Sequence, residues 1–151
     1  TSSDPNGGDL MQSNFEFSEH NVDLEAELRG KLRDSLKHVN RQSINKSFTF
    51  SRSREGQLIA GVTGSLSYDW LHVEMFWVHE PHRRTGVGRN LMEHVLDYAR
   101  SLGAKKCWLE TSSEDALKFY QSLGFEVFGV LSNDAEQFPP EVTRYFLKRN
   151  V

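Results

Sequence analysis

The spacing of apolar residues changes period several times along this chain. Leu24, Leu28, Leu32, Leu36 and Val39 recur every three or four positions, which places them on one face of a helix. Asn21 or Asp23 can cap that helix, and Glu25 and Glu27 put negative charge in its first turn, where the helix dipole favours it. The stripe predicts a helix that covers a sheet. From Ser47 the period drops to two: Phe48 and Phe50 alternate with polar residues, Arg54-Glu55-Gly56-Gln57 supplies a turn, and Leu58 to Leu66 makes the second arm of a hairpin. Gly61 and Gly64 inside that arm suggest a bulge or a close backbone approach. Tyr68-Asp69-Trp70 then reverses the chain into a strand from Leu71 to Val78.

The period returns to helical in Val87, Leu91, Val95, Tyr98, Ala99 and Leu102, a stripe that stops at Gly103. Lys105 to Thr111 reads as a strand. Thr111 followed by Glu114 resembles a capping box, with Ser112 as the alternative cap, for a helix that runs to Leu123 and ends at Gly124. Phe125 to Leu131 and Val142 to Lys148 read as two last strands, separated by a loop containing Pro139 and Pro140. With a short first strand at Phe15 to Ser18, the order is β-α-β-β-β-α-β-α-β-β. That pattern predicts an α/β domain over 15–151, a mixed sheet with helices on both faces. The polar, glycine-bearing stretch 1–14 reads as a disordered lead or a remnant of processing.

Chemistry concentrates where the third strand meets the next helix. His79 to Met92 joins an extended apolar run to a helix N-terminus through a bend holding Gly86 and Gly88. The first amides of a helix lack intrahelical partners, and glycine removes the side chains that would hold a ligand away from them. Arg83, Arg84 and Arg89 add positive charge, so a phosphate or pyrophosphate is the natural guest. A P-loop is excluded, because no Gly-Lys-Ser/Thr follows. A dinucleotide fingerprint fails as well, since Leu91 stands where its third glycine belongs.

Arg83, Gly86 and Gly88 match an Arg/Gln-x-x-Gly-x-Gly/Ala loop. About thirty residues later, Ala116, Phe119, Tyr120, Leu123, Gly124 and Phe125 match Ala-x-x-Phe-Tyr-x-x-x-Gly-Phe. The two motifs at this separation resemble the GCN5-related N-acetyltransferase (GNAT) superfamily, over roughly 47–148. The resemblance implies a largely antiparallel central sheet whose strands splay on either side of the loop helix, opening a V-shaped cleft for the pantetheine arm. It implies acetyl-CoA as donor, with the amides across Arg84, Thr85, Gly86, Val87, Gly88 and Arg89 holding its pyrophosphate. Phe119 and Tyr120 would then line the cleft, with Tyr120 near the CoA sulfur as the acid for the departing thiolate. Backbone N–H groups at Phe76, Trp77 and Val78 would serve the oxyanion. Ser113 stands where family members often carry an asparagine that touches pantetheine.

The base is read from the third strand. Alternation places Leu71, Val73, Met75 and Trp77 on one face and His72, Glu74, Phe76 and Val78 on the other. Glu74 is the anomaly in a largely apolar run, either ion-paired with an arginine or acting as general base. His72 is the competitor: counting back from Val78 places it at one commonly used catalytic position of the family, and the two residues can couple.

Composition narrows the partners. A net charge of −3 over 151 residues argues against nucleic acid. Cys107 is the single cysteine, so no internal disulfide forms, a cytoplasmic setting is favoured, and the thiol is expected to pack as a small hydrophobe on a strand. No run reaches the length of a membrane span. His72, His79 and His82 lack a completing ligand set, so no metal is expected. The reading is an acyltransferase that moves an acetyl group to a primary amine of a small molecule by direct ternary-complex attack. The family adds the expectation of a homodimer. The alternatives are a non-catalytic acyl-CoA-binding regulatory module, or an acetyltransferase acting on protein lysines or N-termini.

Overall fold

A computed structural model describes residues 14–40 and 45–151, with side chains of residues 39 and 40 left out. The lead read at 1–14 lies outside the described residues except for Asn14. The chain separates into two compact units, Thr1–Arg41 and Gln42–Val151.

In the first unit, helix α1 spans Val22–Ser35 and a short helix α2 spans Lys37–Asn40. Asn21 is the N-cap of α1, its Oδ1 accepting from the Leu24 N–H at 2.9 Å. No strand forms at Phe15 to Ser18, and the Phe15 and Phe17 side chains are exposed. Two alternating aromatics define a face but supply no ladder partner, and a lone strand is not stable without one.

The second unit contains a six-stranded sheet in the order β1-β2-β3-β4-β6-β5: β1 Lys46–Arg54, β2 Gln57–Ser67, β3 Trp70–Val78, β4 Lys106–Thr111, β5 Glu126–Ser132 and β6 Thr143–Asn150. Every neighbouring pair is antiparallel except β3 with β4. Two-residue turns close the β1–β2 and β2–β3 hairpins, with left-handed backbone at Glu55 (φ 53°), Gly56 (φ 78°), Tyr68 (φ 54°) and Asp69 (φ 63°). Such turns match the twist of the strands they join. Helix α3, Val87–Ser101, buries Leu91, Met92, Val95, Leu96 and Ala99, and α4, Glu114–Ser122, buries Tyr120. These pack with Val62, Leu66, Leu71, Val73, Cys107, Leu109 and Leu147 into one core.

Strand β3 departs from simple alternation. Thr63 pairs with Met75 but Gly64 pairs with Val73, so Glu74 is an extra residue, a β-bulge. The bulge inverts the faces beyond it. Leu71 and Val73 are buried before it and Val78 after it, whereas Met75 and Trp77 are exposed. The expected grouping of Met75 and Trp77 with Leu71 and Val73 is therefore corrected. The signal lay in the partner strand: a Cβ on Gly64 would stand 2.2 Å from the His72 carbonyl oxygen and 2.7 Å from the Phe48 ring.

The parallel ladder between β3 and β4 has only three rungs, Trp70–Lys106, Leu71–Cys107 and His72–Trp108. Beyond the third the strands part, although β3 continues to Val78 and β4 to Thr111. This gap is the expected splay. No described helix is long and apolar enough to cross a membrane.

Candidate functional site

Past Val78 the chain makes one 3₁₀ turn, Glu80–His82, with Pro81 inside it. Arg83 is extended, Arg84 is left-handed at φ 63°, and Gly86 is left-handed at φ 91° as the N-cap of α3. The first bond of the helix runs from the Asn90 N–H to the Gly86 carbonyl at 3.0 Å. The amides of Val87, Gly88 and Arg89 precede it and have no intrahelical acceptor, and Gly86 offers no side chain to cap them. Helices α1 and α4 each carry two acidic residues in the first turn, and α3 carries none. This helix start is thus left open to an external anion.

The loop is fixed by its own contacts. Arg83 Nε donates to the Val78 carbonyl at 2.8 Å, and the Thr85 hydroxyl donates to the His82 carbonyl. Gly88 permits a close approach of α4, since a Cβ there would lie 3.0 Å from the Phe119 ring.

A cleft of about 1000 Å³ opens at this junction. Strand β3 contributes Phe76, Trp77 and Val78, the loop Glu80, Arg83, Arg84, Gly86, Gly88 and Arg89, and the start of α4 Ser113, Asp115, Ala116, Lys118, Phe119 and Tyr120. Of the residues expected to hold the donor, Thr85 and Val87 stand outside this lining: one hydroxyl is turned into the loop, and Val87 packs against the core. Glu80, Asp115 and Lys118 escaped the sequence reading. Asp115 was recoverable, because it lies one turn before Phe119 on the same face. The N-cap of α4 is Ser113, whose Oγ accepts from the Ala116 N–H at 3.2 Å, rather than Thr111 or Ser112. Thr111 instead accepts from the Ser113 N–H at 3.1 Å. Ser113 thus caps the helix and lines the cleft at once.

Tyr120 is buried and wedged against Phe76, Phe119 and Phe125 at centroid distances of 6.0, 5.4 and 5.9 Å. Its hydroxyl makes no hydrogen bond among the described residues. Burial, with a smaller contribution from nearby Cys107, pushes its pKa up to about 12. The Cys107 thiol is also pushed up to about 12 by burial, partly offset by Arg149, so it is inert as a nucleophile at neutral pH.

The two candidate bases do not line this cleft. His72 lies on the sheet face opposite Leu71 and Cys107, in one cross-strand row with Ser65 and Trp108. Glu74, expected on a buried apolar face, is turned out by the bulge and its side chain is 47% exposed. Its Oε1 accepts from Ser65 Oγ at 3.0 Å and lies 3.9 Å from His72 Nδ1. No arginine or lysine pairs with it among the described residues. His72 is held below the ordinary histidine range by burial, which outweighs the opposing pull of Glu74 and Glu110.

The His79 N–H donates to the Ile59 carbonyl at 2.7 Å, so ladder alternation directs Trp77 towards β2 and the N–H groups of Phe76 and Val78 towards the gap. Among the described residues no three His, Cys, Asp or Glu side chains converge as a metal site.

Residues 11–125 match the model of the Acetyltransferase (GNAT) family. This chain belongs to that family. It is an acyltransferase of the GNAT type, and the family's acyl donor is acetyl coenzyme A. A blasticidin-S acetyltransferase of Streptomyces morookaense is 29% identical over 104 residues, 68% of this chain and 74% of that protein. The [ribosomal protein bS18]-alanine N-acetyltransferase of Escherichia coli K12 is 31% identical over 78 residues, so this chain spans about half of it, 53%. The solved Escherichia coli S18-alanine enzyme shares the fold with a TM-score of 0.61 at 20% identity, over 89% of this chain and 92% of that one. A Bacillus anthracis protein assigned as a streptothricin acetyltransferase, solved with acetyl coenzyme A, has a TM-score of 0.63 at 18% identity, over 73% and 65% of the two chains.

Proposed function

We propose that this GNAT protein transfers the acetyl group of acetyl-CoA to a primary amine of a small molecule by direct attack in a ternary complex. One observation carries the reading: Tyr120, whose hydroxyl has no partner among the described residues, lines the same cleft as the glycine loop and the uncapped amides that begin α3. The amides of Val87, Gly88 and Arg89, with Arg84 beside them, receive the donor's diphosphate. Phe76 and Val78 point N–H groups at the developing oxyanion.

Glu74 acts from the other face of the gap. An alkylamine of pKa ~10.4 is almost wholly protonated at pH 7, and neutralising it costs about 4 to 5 kcal/mol. A carboxylate without a cationic partner attracts that ammonium and takes one proton, freeing the lone pair with which nitrogen attacks the thioester carbon; as the C–S bond breaks, the second proton shed by nitrogen goes to the departing thiolate, leaving amide and CoA thiol. His72 stands beside Glu74 as the second candidate for this role. Tyr120, held near pKa 12, stays protonated and donates a hydrogen bond to the departing sulfur. An ordinary thiol titrates near 8.5, so complete proton transfer from this phenol would run uphill.

A small-molecule acceptor is supported by the blasticidin-S relative. The bS18-alanine relative keeps a protein N-terminus as the second reading. The deciding experiment follows CoA release from purified protein with a panel of small amines and a panel of peptides, beside calorimetry of acetyl-CoA binding. Turnover with small amines alone is expected. Saturable binding with no turnover on either panel would leave a non-catalytic acyl-CoA-binding module.

A further inference from the structure

We propose that Trp108 is a positioning residue: its indole, stacked on the His72 imidazole at the last rung before β3 and β4 part, fixes that ring beside Glu74 and shields it from water. The inference rests on reading Glu74 as the base. The two rings lie 3.8 Å apart with 4° between their planes, and their residues are direct partners in the β3–β4 register. One flat face of the imidazole is therefore covered by the indole, and its Nδ1 is left 3.9 Å from Glu74 Oε1.

The charges around this pair decide why the cover matters. Glu74 faces His72 along its own strand, and Glu110 acts on it from β4. Ser65 of β2 sits in the adjoining cross-strand position and bonds Glu74, not the imidazole. On β6, Arg144 is committed to Glu110 by bonds of 2.8 and 3.1 Å, and Lys148, the register partner of Trp108, holds its ammonium 5.7 Å over Phe128. Two carboxylates thus draw a proton onto His72, and burial, to which the stacked indole contributes, opposes them.

Without the indole the ring would be wetted while both carboxylates stayed in place. A protonated His72 would then form a true ion pair with Glu74. A carboxylate engaged by a cation is a weaker base, so the proton of the incoming amine would lose its acceptor. Trp108 acts through His72 on Glu74 and touches no reacting atom in this scheme.

The test is an NMR titration of the His72 ring in the full, unliganded chain, comparing native protein with W108A and W108F, beside pH profiles of kcat/KM. In W108A the titration midpoint is expected to rise, and the acid limb of kcat/KM to move up with it. The alkaline plateau should stay within about threefold of native, because Glu74 itself is intact. W108F, which keeps a flat ring, should restore both, and adding H72Q to W108A should return the limb towards its native position. Should W108A fail to fold, W108M gives the same comparison with an apolar residue that cannot stack. An unmoved midpoint in the variant overturns the proposal, and so does a plateau that falls with no shift of the limb. The titration needs neither donor nor acceptor, so its outcome is independent of whether acetyl-CoA binds, which tests the activity itself.

Discussion

Arg83 Nε donates a 2.8 Å hydrogen bond to the carbonyl oxygen of Val78, so the first arginine of the loop is anchored to the strand the loop leaves. Hydrogen bonds involving a charged group contribute about 1.5 to 3 kcal/mol. R83A is expected to lose stability of that order in denaturant unfolding and to weaken acetyl-CoA binding by roughly tenfold in calorimetry, because the loop amides lose their fixed start. R83K should fall between, since an ammonium lacks the planar fork that reaches the carbonyl.

The glycines of the loop have separate duties. At Gly88 a side chain would press on Phe119 at 3.0 Å, so G88V should push α4 away and abolish saturable acetyl-CoA binding. At Gly86 there is open space but a φ of 91°. G86A should therefore cost about 1 kcal/mol of stability through backbone strain and leave the cleft accessible. Calorimetry and thermal melting on the two variants separate steric from conformational effects.

Y120F removes a hydroxyl that has no hydrogen-bond partner among the described residues. Folding stability at neutral pH is expected to change by less than about 1 kcal/mol. Turnover should drop by about 10²-fold or more while the KM for acetyl-CoA stays within about threefold, the pattern of an interaction made in the transition state. Unchanged kcat would take Tyr120 out of the chemistry.

Two buried acids set an alkaline limit on stability. Tyr120 is raised from 10.0 to about 12 and Cys107 from 9.0 to about 12 on folding. As pH rises, the unfolded chain releases these protons first, so the stabilisation is whole below about pH 9 and is lost between pH 9 and 12. Chemical denaturation across that window should show stability falling, and Y120F with C107A should flatten the fall.

Gly64 tolerates no side chain. G64A would set a Cβ 2.2 Å from a backbone oxygen of β3 and 2.7 Å from the Phe48 ring, and neither can withdraw without opening the hairpin. A loss of more than about 3 kcal/mol, read as insoluble or premature-melting protein, is expected.

Helix α3 and the loop ahead of it were legible because their signals are local: a 3.6-residue stripe, and two glycines and three arginines between Arg83 and Arg89. The hairpin turns were legible through Gly56 and Asp69, which suit left-handed backbone, whereas Glu55 and Tyr68 adopt it with no such signal in their residue types. The facing of β3 was not legible. A bulge formed by Glu74 leaves no glycine or proline in its own strand, and the close approach it creates is recorded at Gly64 on the neighbour. The N-cap at Ser113 was missed for a related reason. Thr111, Ser112 and Ser113 are all competent caps in a row, and only the point where β4 ends chooses among them. The absence of a strand at Phe15 follows from pairing, which no short apolar alternation can guarantee.

Because the bulge inserts one residue, Leu71 and Val73 before it and Phe76 and Val78 after it share one face of β3, opposite Leu66, Gly64, Val62 and Ala60 of β2. Straightening the bulge at constant length would leave composition and strand propensity intact. It would nevertheless present Phe76 and Val78 to water and drive Met75 and Trp77 inward. The donor cleft's wall and the exposed carboxylate are therefore inherited together, through one irregularity of the ladder and not through any single side chain along it.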